Sequence, residues 1–267
     1  LIDPYITAEM NITDLLSHRS GLTTFMGDLL WYHTDYSNME VIRRMQYLPV
    51  ENDFREDYGY QNNMYMIAGE IIERVTGKTW SEYLEEKIFK PLAMKKTLPS
   101  NDEIMEGMEI AEPHLDGQPV QLYDFNATKP AASIHSNVAD LSKWVQMLLN
   151  NGEFQGNQIL PENTLDPVFS AHTPLKVYDN QKLRGIHFRA YGLGWSMYDF
   201  NGRKVIEHNG GMPGYISKVT LVPEENFGFV VLNNGFDFFV HNALKEDLLE
   251  LFLNTDEDQD WIEIYAD

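Results

Sequence analysis

Two short polar motifs in this sequence combine residue types that carry out proton transfer and acyl chemistry. The first is Tyr60-Gln-Asn62, which comes directly before an apolar helical pattern, and the second is His208-Asn-Gly-Gly-Met-Pro-Gly214. Tyrosine and histidine can each donate or accept a proton, and glycine lets a backbone N–H approach a developing oxyanion. Each motif also has a structural explanation: Tyr60 packs and Asn62 caps the helix, and the second motif is a glycine-rich hairpin with an incidental histidine.

A predicted helix follows the first motif and would fix its position. Apolar residues recur there at helical spacing and form one stripe, which consists of Met64, Ala68, Ile71, Ile72 and Val75. Gly77 predicts the end of this helix. Thr79 and Glu82 form a capping-box pattern, which predicts that a second helix starts directly afterwards.

The second motif is predicted to lie between strands of an antiparallel meander. Apolar runs separated by turn signals predict strands over 193–200, 203–207, 216–222 and 228–232. A final helix, at about 236–253, is expected to cover one face of the sheet with Leu244, Leu248, Leu251 and Phe252. Further helices are predicted over 12–17, 38–45 and 138–149, the last with Asn137 as its N-cap. Helices in the middle and a sheet late in the chain indicate a mixed α and β fold.

Three islands of sequence resemble serine hydrolases related to class C β-lactamases and penicillin-binding proteins. They are Tyr60-Gln-Asn62 with the run 70–77, the segment 88–94, and the His208 motif, and the resemblance extends over about 12–233. It implies an α+β fold of the β-lactamase/transpeptidase type, with an antiparallel sheet flanked by helices and an inserted helical subdomain. We expect one such domain over 1–253, with a helical part at about 12–165 and a sheet part at about 190–253. An acidic linker is expected over 254–267.

The resemblance also implies roles for individual residues. Tyr60 and His208 would be catalytic, Tyr60 by handling a proton and His208 by flanking the leaving group. Asn62 would orient the substrate amide or a lysine, and Gly210 and Gly211 would bind the substrate, with the N–H of Gly211 as an oxyanion donor. His208 stands where many relatives have lysine, which removes a permanent positive charge that would hold a β-lactam carboxylate. This difference favours a peptidase or an esterase.

The Ser-x-x-Lys motif that would supply the nucleophile and its base is absent from these residues. No lysine has a serine three positions before it, and the only hydroxyl match is Thr173-Pro-Leu-Lys176. Ser20 is better explained by a tight turn with Gly21 than as a nucleophile. In the resembling family this motif precedes the turn by several dozen residues. We therefore expect it to lie upstream of Leu1, and another segment or subunit to cover the apolar face that its absence would expose.

The composition limits which classes of partner and cofactor are expected. The formal net charge of −21 disfavours nucleic acid and anionic membranes, and the substrate is expected to be a small molecule or a short peptide. With no cysteine, no His-x-x-x-His pair and no carboxylate-rich loop, neither a thiol nucleophile nor a metal site is expected, and no cofactor is implied. The resemblance favours a periplasmic or secreted location.

Two functions follow from these observations. The first is a serine hydrolase that acts on D-amino-acid peptides, small esters or β-lactams, with its nucleophile outside this chain, so that these residues alone are inactive. The alternative is a catalytically inactive binding or scaffold domain of the same fold.

Overall fold

The computed structural model describes residues 1–182, 184–253 and 260–266. Its helices are α1 (Pro4–Glu9), α2 (Ile12–Leu16), α3 (Asn38–Arg44), α4 (Asn62–Thr76), α5 (Trp80–Leu84), α6 (Lys129–Ala132), α7 (Val138–Leu149), α8 (Leu165–Val168), α9 (Asp179–Lys182), α10 (Phe238–Leu253) and α11 (Trp261–Ala266). Its strands are β1 (His114–Leu115), β2 (Gln118–Pro119), β3 (Glu153–Phe154), β4 (Asn157–Gln158), β5 (Thr173–Pro174), β6 (Arg189–Tyr191), β7 (Ser196–Phe200), β8 (Arg203–Met212), β9 (Tyr215–Val222) and β10 (Phe227–Asn233). No described helix is long and apolar enough to cross a membrane.

The predicted helix ends form as the local sequence specifies. Gly77 closes α4 in the left-handed conformation, with φ at 69°, which costs glycine little. Thr79 and Glu82 make both bonds of the capping box at α5, and the Asn137 side chain accepts the N–H of Asp140 at α7. Asn62, in contrast, is the first residue of α4 and caps nothing, because Gln61 occupies the N-cap position.

The sheet has six antiparallel strands in the order β10-β9-β8-β7-β6-β5, so the predicted meander is confirmed. Strand β8 is longer than predicted, because His208 to Met212 belong to the strand rather than to the connection after it. Strand β7 pairs with β8 only as far as Ser196 and Glu207. From His208 to Met212, β8 therefore pairs with β9 on one side alone among the described strands.

An apolar cluster fills the space between the sheet and α7. Met197, Ile206 and Leu221 of the sheet pack there with Val145 and Leu148 of α7. This cluster joins the late sheet to the helices that precede it. The structure confirms the mixed α and β fold class.

The C-terminal helix α10 covers the opposite face of the sheet, but not with the residues that the sequence predicts. Leu244 and Leu251 are exposed, whereas Lys245 and Glu246 are buried. Phe252 is also more than half exposed, although its ring stacks on Phe227 at 4.2 Å. Of the four predicted residues only Leu248 is half-buried, so the prediction is wrong for Leu244, Leu251 and Phe252. The buried charges Glu207 and Lys218 of the sheet attract the polar side of the helix instead.

Part of the predicted acidic linker folds as α11, and Trp261 of this helix is buried. The rest of that segment, residues 254–259 and 267, lies outside the described residues.

Candidate active site

A cleft of about 2020 Å³ lies between the helices and the open part of β8. The residues that the sequence analysis singled out all line it: Tyr60, Asn62, His208, Gly210 and Gly211. The ring centroids of Tyr60 and His208 are 6.3 Å apart. Two motifs separated by almost 150 positions in the chain (60 to 208) therefore face one space, as a shared site would require.

Backbone contacts hold Tyr60 just before α4. The Tyr60 carbonyl accepts the N–H of Phe25 at 2.8 Å, and the Tyr60 N–H donates to the Thr24 hydroxyl at 3.2 Å. The preceding residue must be glycine, because a Cβ at Gly59 would lie 1.8 Å from the carbonyl oxygen of Leu22. The segment before the helix is thus fixed against the loop that follows α2.

His18 lies behind Tyr60 and was not identified from the sequence. Its Nδ1 accepts the backbone N–H of Gln61 at 3.0 Å, and its ring is 4.4 Å from the Tyr60 ring. It is 1% exposed, and its Nε2 has no partner among the described residues. Burial lowers the His18 pKa to about 3, so the ring is neutral at physiological pH. The signal that was available is the histidine in Ser17-His-Arg-Ser-Gly-Leu22, where only the serine was considered.

His208 is held by a chain of neutral hydroxyls. Its Nε2 lies 3.0 Å from the hydroxyl of Tyr191, which in turn shares a hydrogen bond with the hydroxyl of Tyr65. Tyr65 gives its proton to the carbonyl oxygen of Leu16 at 2.8 Å. Because each hydroxyl has a single proton, Tyr191 donates to Tyr65 and must accept from His208. This arrangement places the ring proton of neutral His208 on Nε2.

The Asn62 side chain points to the loop between α2 and α3. Its Nδ2 donates to Oδ2 of Asp28 at 2.8 Å, and Nε1 of Trp31 donates to Oδ1 of the same carboxylate at 3.3 Å. Burial raises the pKa of Asp28, and the two donated hydrogen bonds oppose that rise. Trp31 also lines the cleft.

Each of the two strand glycines has a close neighbour. A Cβ at Gly211 would lie 2.9 Å from Cζ of Phe238, and one at Gly210 would lie 2.2 Å from Oγ of Ser217. Both glycines belong to the part of β8 that has no strand partner on the cleft side among the described residues. Glycine here lets neighbouring groups approach the backbone closely.

The two titratable groups that face each other in the cleft are both neutral near pH 7. Burial raises the pKa of Tyr60, and the nearby Asp28 carboxylate raises it further. Burial lowers the pKa of His208. Tyr60 is therefore a proton donor in this state rather than a tyrosinate base.

Ser20 does not take part in this cleft. It is fully buried, and its hydroxyl accepts the N–H of Leu22 at 3.3 Å, next to Gly21 with φ at 85°. The Thr173 hydroxyl is likewise buried and donates to the carbonyl of Ser17. Within the described ranges no group of three or more His, Asp or Glu side chains is arranged to hold a metal ion.

Comparison with known proteins identifies the family of this chain and several relatives. The family model described as Beta-lactamase matches residues 2–252. "Unguisins hydrolase ungD'" from Aspergillus campestris is 28% identical over 278 residues, covering 98% of this chain and 50% of that protein. "N-acetylmuramyl-L-alanine amidase" from Bacillus subtilis is 24% identical over 264 residues, covering 85% of this chain and 56% of that protein. The chain thus spans about half the length of these relatives.

Solved structures share the fold at low sequence identity. The D-amino acid amidase from Ochrobactrum anthropi, in complex with D-phenylalanine, has a TM-score of 0.73 at 21% identity, covering 95% of this chain and 80% of that one. The octameric penicillin-binding protein homologue from Pyrococcus abyssi has a TM-score of 0.72 at 23% identity, covering 90% of this chain and 55% of that one.

Proposed function

The chain belongs to the Beta-lactamase family, a family of serine-type hydrolases with amidase and peptidase relatives, and from this premise we propose that it forms most of the active site of an acyl-transfer hydrolase. Its proposed substrates are D-amino-acid peptides or small esters. The observation that supports this proposal is the convergence of Tyr60, His208 and Gly211 on one cleft.

The proposed nucleophile is a serine hydroxyl outside these 267 residues. Two findings support this part of the proposal. No Ser-x-x-Lys occurs in the chain, and Ser20 is buried away from the cleft. The chain also spans only about half of its curated relatives, so a longer protein has room for the missing motif.

Each cleft residue has a role in the proposed reaction. The serine oxygen bonds to the acyl carbon, and the carbonyl oxygen gains negative charge that the N–H of Gly211 stabilises. A base outside the chain takes the serine proton, and Tyr60, which is protonated, donates a proton to the departing group. Water then attacks the acyl-enzyme, its proton returns through the same groups, and the acid is released.

The neutral side chain at His208 favours peptides and esters over β-lactams. His208 stands in place of a lysine, and burial lowers its pKa, so no positive charge is held at this position near neutral pH. A β-lactam carboxylate would lack an ionic partner there. A neutral leaving group beside the neutral imidazole has no such requirement.

The experiment compares the 267-residue chain with the longest natural protein that contains it. Both are treated with a chromogenic ester and a fluorophosphonate, and rates and intact masses are measured. We expect stoichiometric labelling of the long protein only, at a serine outside this chain. Tyr60→Phe in the long protein should lower kcat/KM by about 100-fold or more, as loss of a general acid does. Tyr47→Phe, at a tyrosine that is 73% exposed, is the matched control and should have no effect.

Two outcomes would contradict parts of this proposal. Labelling of the short chain at Ser20 would make Ser20 the nucleophile. A long protein that contains Ser-x-x-Lys yet leaves esters, D-peptides and β-lactams intact would favour the alternative, a binding or scaffold domain.

We also propose that a second copy or an upstream segment covers the outer side of α10 and β10. Phe239, Val240 and Leu251 of α10 are 61%, 51% and 70% exposed, and β10 pairs with β9 alone among the described strands. Apolar patches rimmed by polar residues mark association sites. Light scattering after size-exclusion chromatography should show association of the 267-residue chain that Phe239→Ser with Leu251→Ser weakens. A monomer at all concentrations would exclude the second copy.

A further inference from the structure

Two cationic side chains that line the cleft have no carboxylate partner. Arg189 of β6 and Lys176, which follows β5, both line it, and neither forms an ion pair among the described residues. Nη1 of Arg189 donates to the carbonyl oxygen of Lys176 and to Oε1 of Gln181, both at 3.1 Å. The Lys176 ammonium lies 5.4 Å from the centroid of the Tyr178 ring. All these partners are neutral, so two positive charges remain available although the chain has 41 Asp and Glu against 20 Lys and Arg.

The sheet turns Arg189 toward the cleft and places Lys176 beside it. Arg189 and Tyr191 are two positions apart on β6, so their side chains leave the strand on the same side. Tyr191 bonds to His208 at 3.0 Å, which identifies that side as the cleft side. The N–H of Leu175 donates to the Arg189 carbonyl at 2.9 Å, so Lys176 follows directly at this end of β6. Strand pairing therefore brings the two cations together.

A free hydroxyl lies close to the Arg189 guanidinium. Tyr58 also lines the cleft, and its ring is 5.3 Å from the Tyr191 ring. Its hydroxyl forms no hydrogen bond within the described part of the chain. Burial raises the pKa of Tyr58, the neighbouring Tyr60 raises it further, and the positive charge of Arg189 opposes this rise. The hydroxyl therefore keeps its proton near pH 7 and is available as a donor.

The carboxylates of the cleft wall do not neutralise these cations. In residues 1–182, 184–253 and 260–266, none of them lies within ion-pair distance of Arg189 or Lys176; those that line the cleft are Glu56, Asp57, Glu109, Asp140 and Glu207. Asp57 accepts the backbone N–H of Asp53, and Glu207 pairs with Lys245 toward α10. An anion can thus reach the two cations without breaking an ion pair.

We propose that Arg189, Lys176 and Tyr58 form a subsite for a carboxylate of the substrate that is remote from the scissile bond. Nε and Nη2 of Arg189 have no protein partner among the described residues, and together they form a planar two-donor fork that matches the two oxygens of a carboxylate. The Lys176 ammonium adds a second positive charge, and the Tyr58 hydroxyl adds a further donor.

The topology sets the distance between this subsite and the proposed reaction. Strand β7 separates β6 from β8, so Arg189 starts two strand spacings, roughly 10 Å, from the strand that carries His208 and Gly211. A carboxylate directly beside the scissile bond is too close to bridge this distance, whereas one several bonds or a residue away is not. The distance argument rests on the proposed function for the place of the scissile bond, but the subsite itself is a binding site.

The first test is a binding experiment, so that it does not depend on turnover. The 267-residue chain is titrated with monomethyl suberate and with methyl suberamate, which differ only in a terminal carboxylate or carboxamide, and both affinities are measured by ligand-observed NMR. We expect the carboxylate to bind about 5-fold tighter or more. Because salt screens accessible charges, about 0.5 M NaCl should reduce the difference to less than about 2-fold.

Variants separate this role from a general loss of structure. Arg189→Gln should bring the two affinities within about 2-fold of each other by weakening the carboxylate alone. Arg203→Gln also removes one positive charge from the sheet, at an exposed ion pair with Glu225 outside the cleft, and should keep the full preference. Lys176→Gln changes an exposed side chain and should lose part of the preference, which provides a second variant if Arg189→Gln does not fold.

Equal affinity for both ligands in the unaltered chain would overturn the assignment. So would an undiminished preference in the folded Arg189→Gln and Lys176→Gln variants.

The distance is tested by hydrolysis in the long protein. There kcat/KM should be about 5-fold higher for monomethyl suberate than for methyl suberamate, whereas monomethyl malonate should have no advantage over methyl malonamate. An equal advantage in the two pairs would contradict a remote subsite. Failure of the long protein to hydrolyse any ester would refute the proposed function and leave the carboxylate preference in binding standing, so the two failures are distinguishable.

Discussion

The two faces of the six-stranded sheet are stabilised by different interactions. Toward α7 the sheet buries apolar side chains such as Ile206 and Leu221. Toward α10 it buries Val205 and Val222 against Leu249 and, beside this apolar cluster, ions: Lys245 lies 2.6 Å from Glu246, which also pairs with Arg184. Apolar contacts are roughly proportional to buried area and are not directional, whereas buried ions require defined partners. The α10 face is therefore more specific in its pairing and more sensitive to the loss of one member.

Strand β8 connects the two faces at the candidate site. Neighbouring residues of a strand point to opposite sides, so Glu207 joins the ions near α10 while His208 joins the neutral hydroxyls of the cleft. Charged partners at Glu207 hold the strand, and the neutral chain at His208 keeps its imidazole uncharged. This comparison indicates that stability and ligand binding can be altered separately on the two faces.

The largest effect is expected from removing one buried ion. Glu246→Ala leaves Lys245 and Arg184 without their carboxylate and should lower the free energy of unfolding by about 3–5 kcal/mol. Replacing both residues, as Lys245→Met with Glu246→Leu, should lower the free energy of unfolding clearly less, because Lys245 is then not left as an unpaired buried charge. Urea unfolding of both variants measures this difference, and equal losses would contradict it.

Leu221→Ala on the apolar face is the reference for that comparison. It should cost about 2–5 kcal/mol through lost burial and the cavity that is left. Salt should change neither cost much, because Leu221 is uncharged and the Glu246 pair is buried, where ions screen little.

A smaller effect is expected when one hydroxyl is removed from each face. The Tyr198 hydroxyl bonds to Lys245 and Glu207, both at 3.1 Å, so Tyr198→Phe should cost about 1.5–3 kcal/mol, as bonds to charged groups do. Tyr191→Phe removes two bonds between neutral groups, to His208 and Tyr65, and should cost about 1–2 kcal/mol. Ligand binding in the cleft should follow the opposite order and be weakened by Tyr191→Phe alone. If both variants weaken binding equally, the two faces are not independent.

An effect of similar size is a pH dependence from His18. Its pKa is about 3 in the folded chain and about 6.5 when unfolded, so the unfolded state binds the proton first as pH falls. The contribution is fully present above pH 6.5 and is lost progressively down to about pH 3. Between pH 7.5 and pH 5.5 it should amount to about 1.4 kcal/mol.

The variant His18→Asn tests this dependence. Asparagine tolerates the positive φ of 56° at this position and can still accept the Gln61 N–H, but it does not titrate. Unfolding free energies at the two pH values should differ by about 1.4 kcal/mol less in the variant. An unchanged difference would show that His18 does not supply this pH dependence.

Local features of the fold were predictable from the sequence, while the partners of the site residues were not. The caps at Thr79 and Asn137 form because donor and acceptor lie three residues apart. The buried side of α10 was mispredicted, because hydrophobicity ranks Leu244 and Leu251 as buried and does not show the charges beneath the helix. Strands β5 and β6 escaped prediction because two or three residues carry no readable alternation.

The sequence by itself determined the fold class, the helix ends, the meander and the two motifs at Tyr60 and His208. Only the tertiary structure decided that Asn62 binds Asp28 across 34 residues and that His18 supports Gln61 across 43. The physical reason is chain closure. Bonds within one turn follow from neighbouring residue types, whereas a bond over a long loop forms only when the packing of other elements has already brought its two ends together.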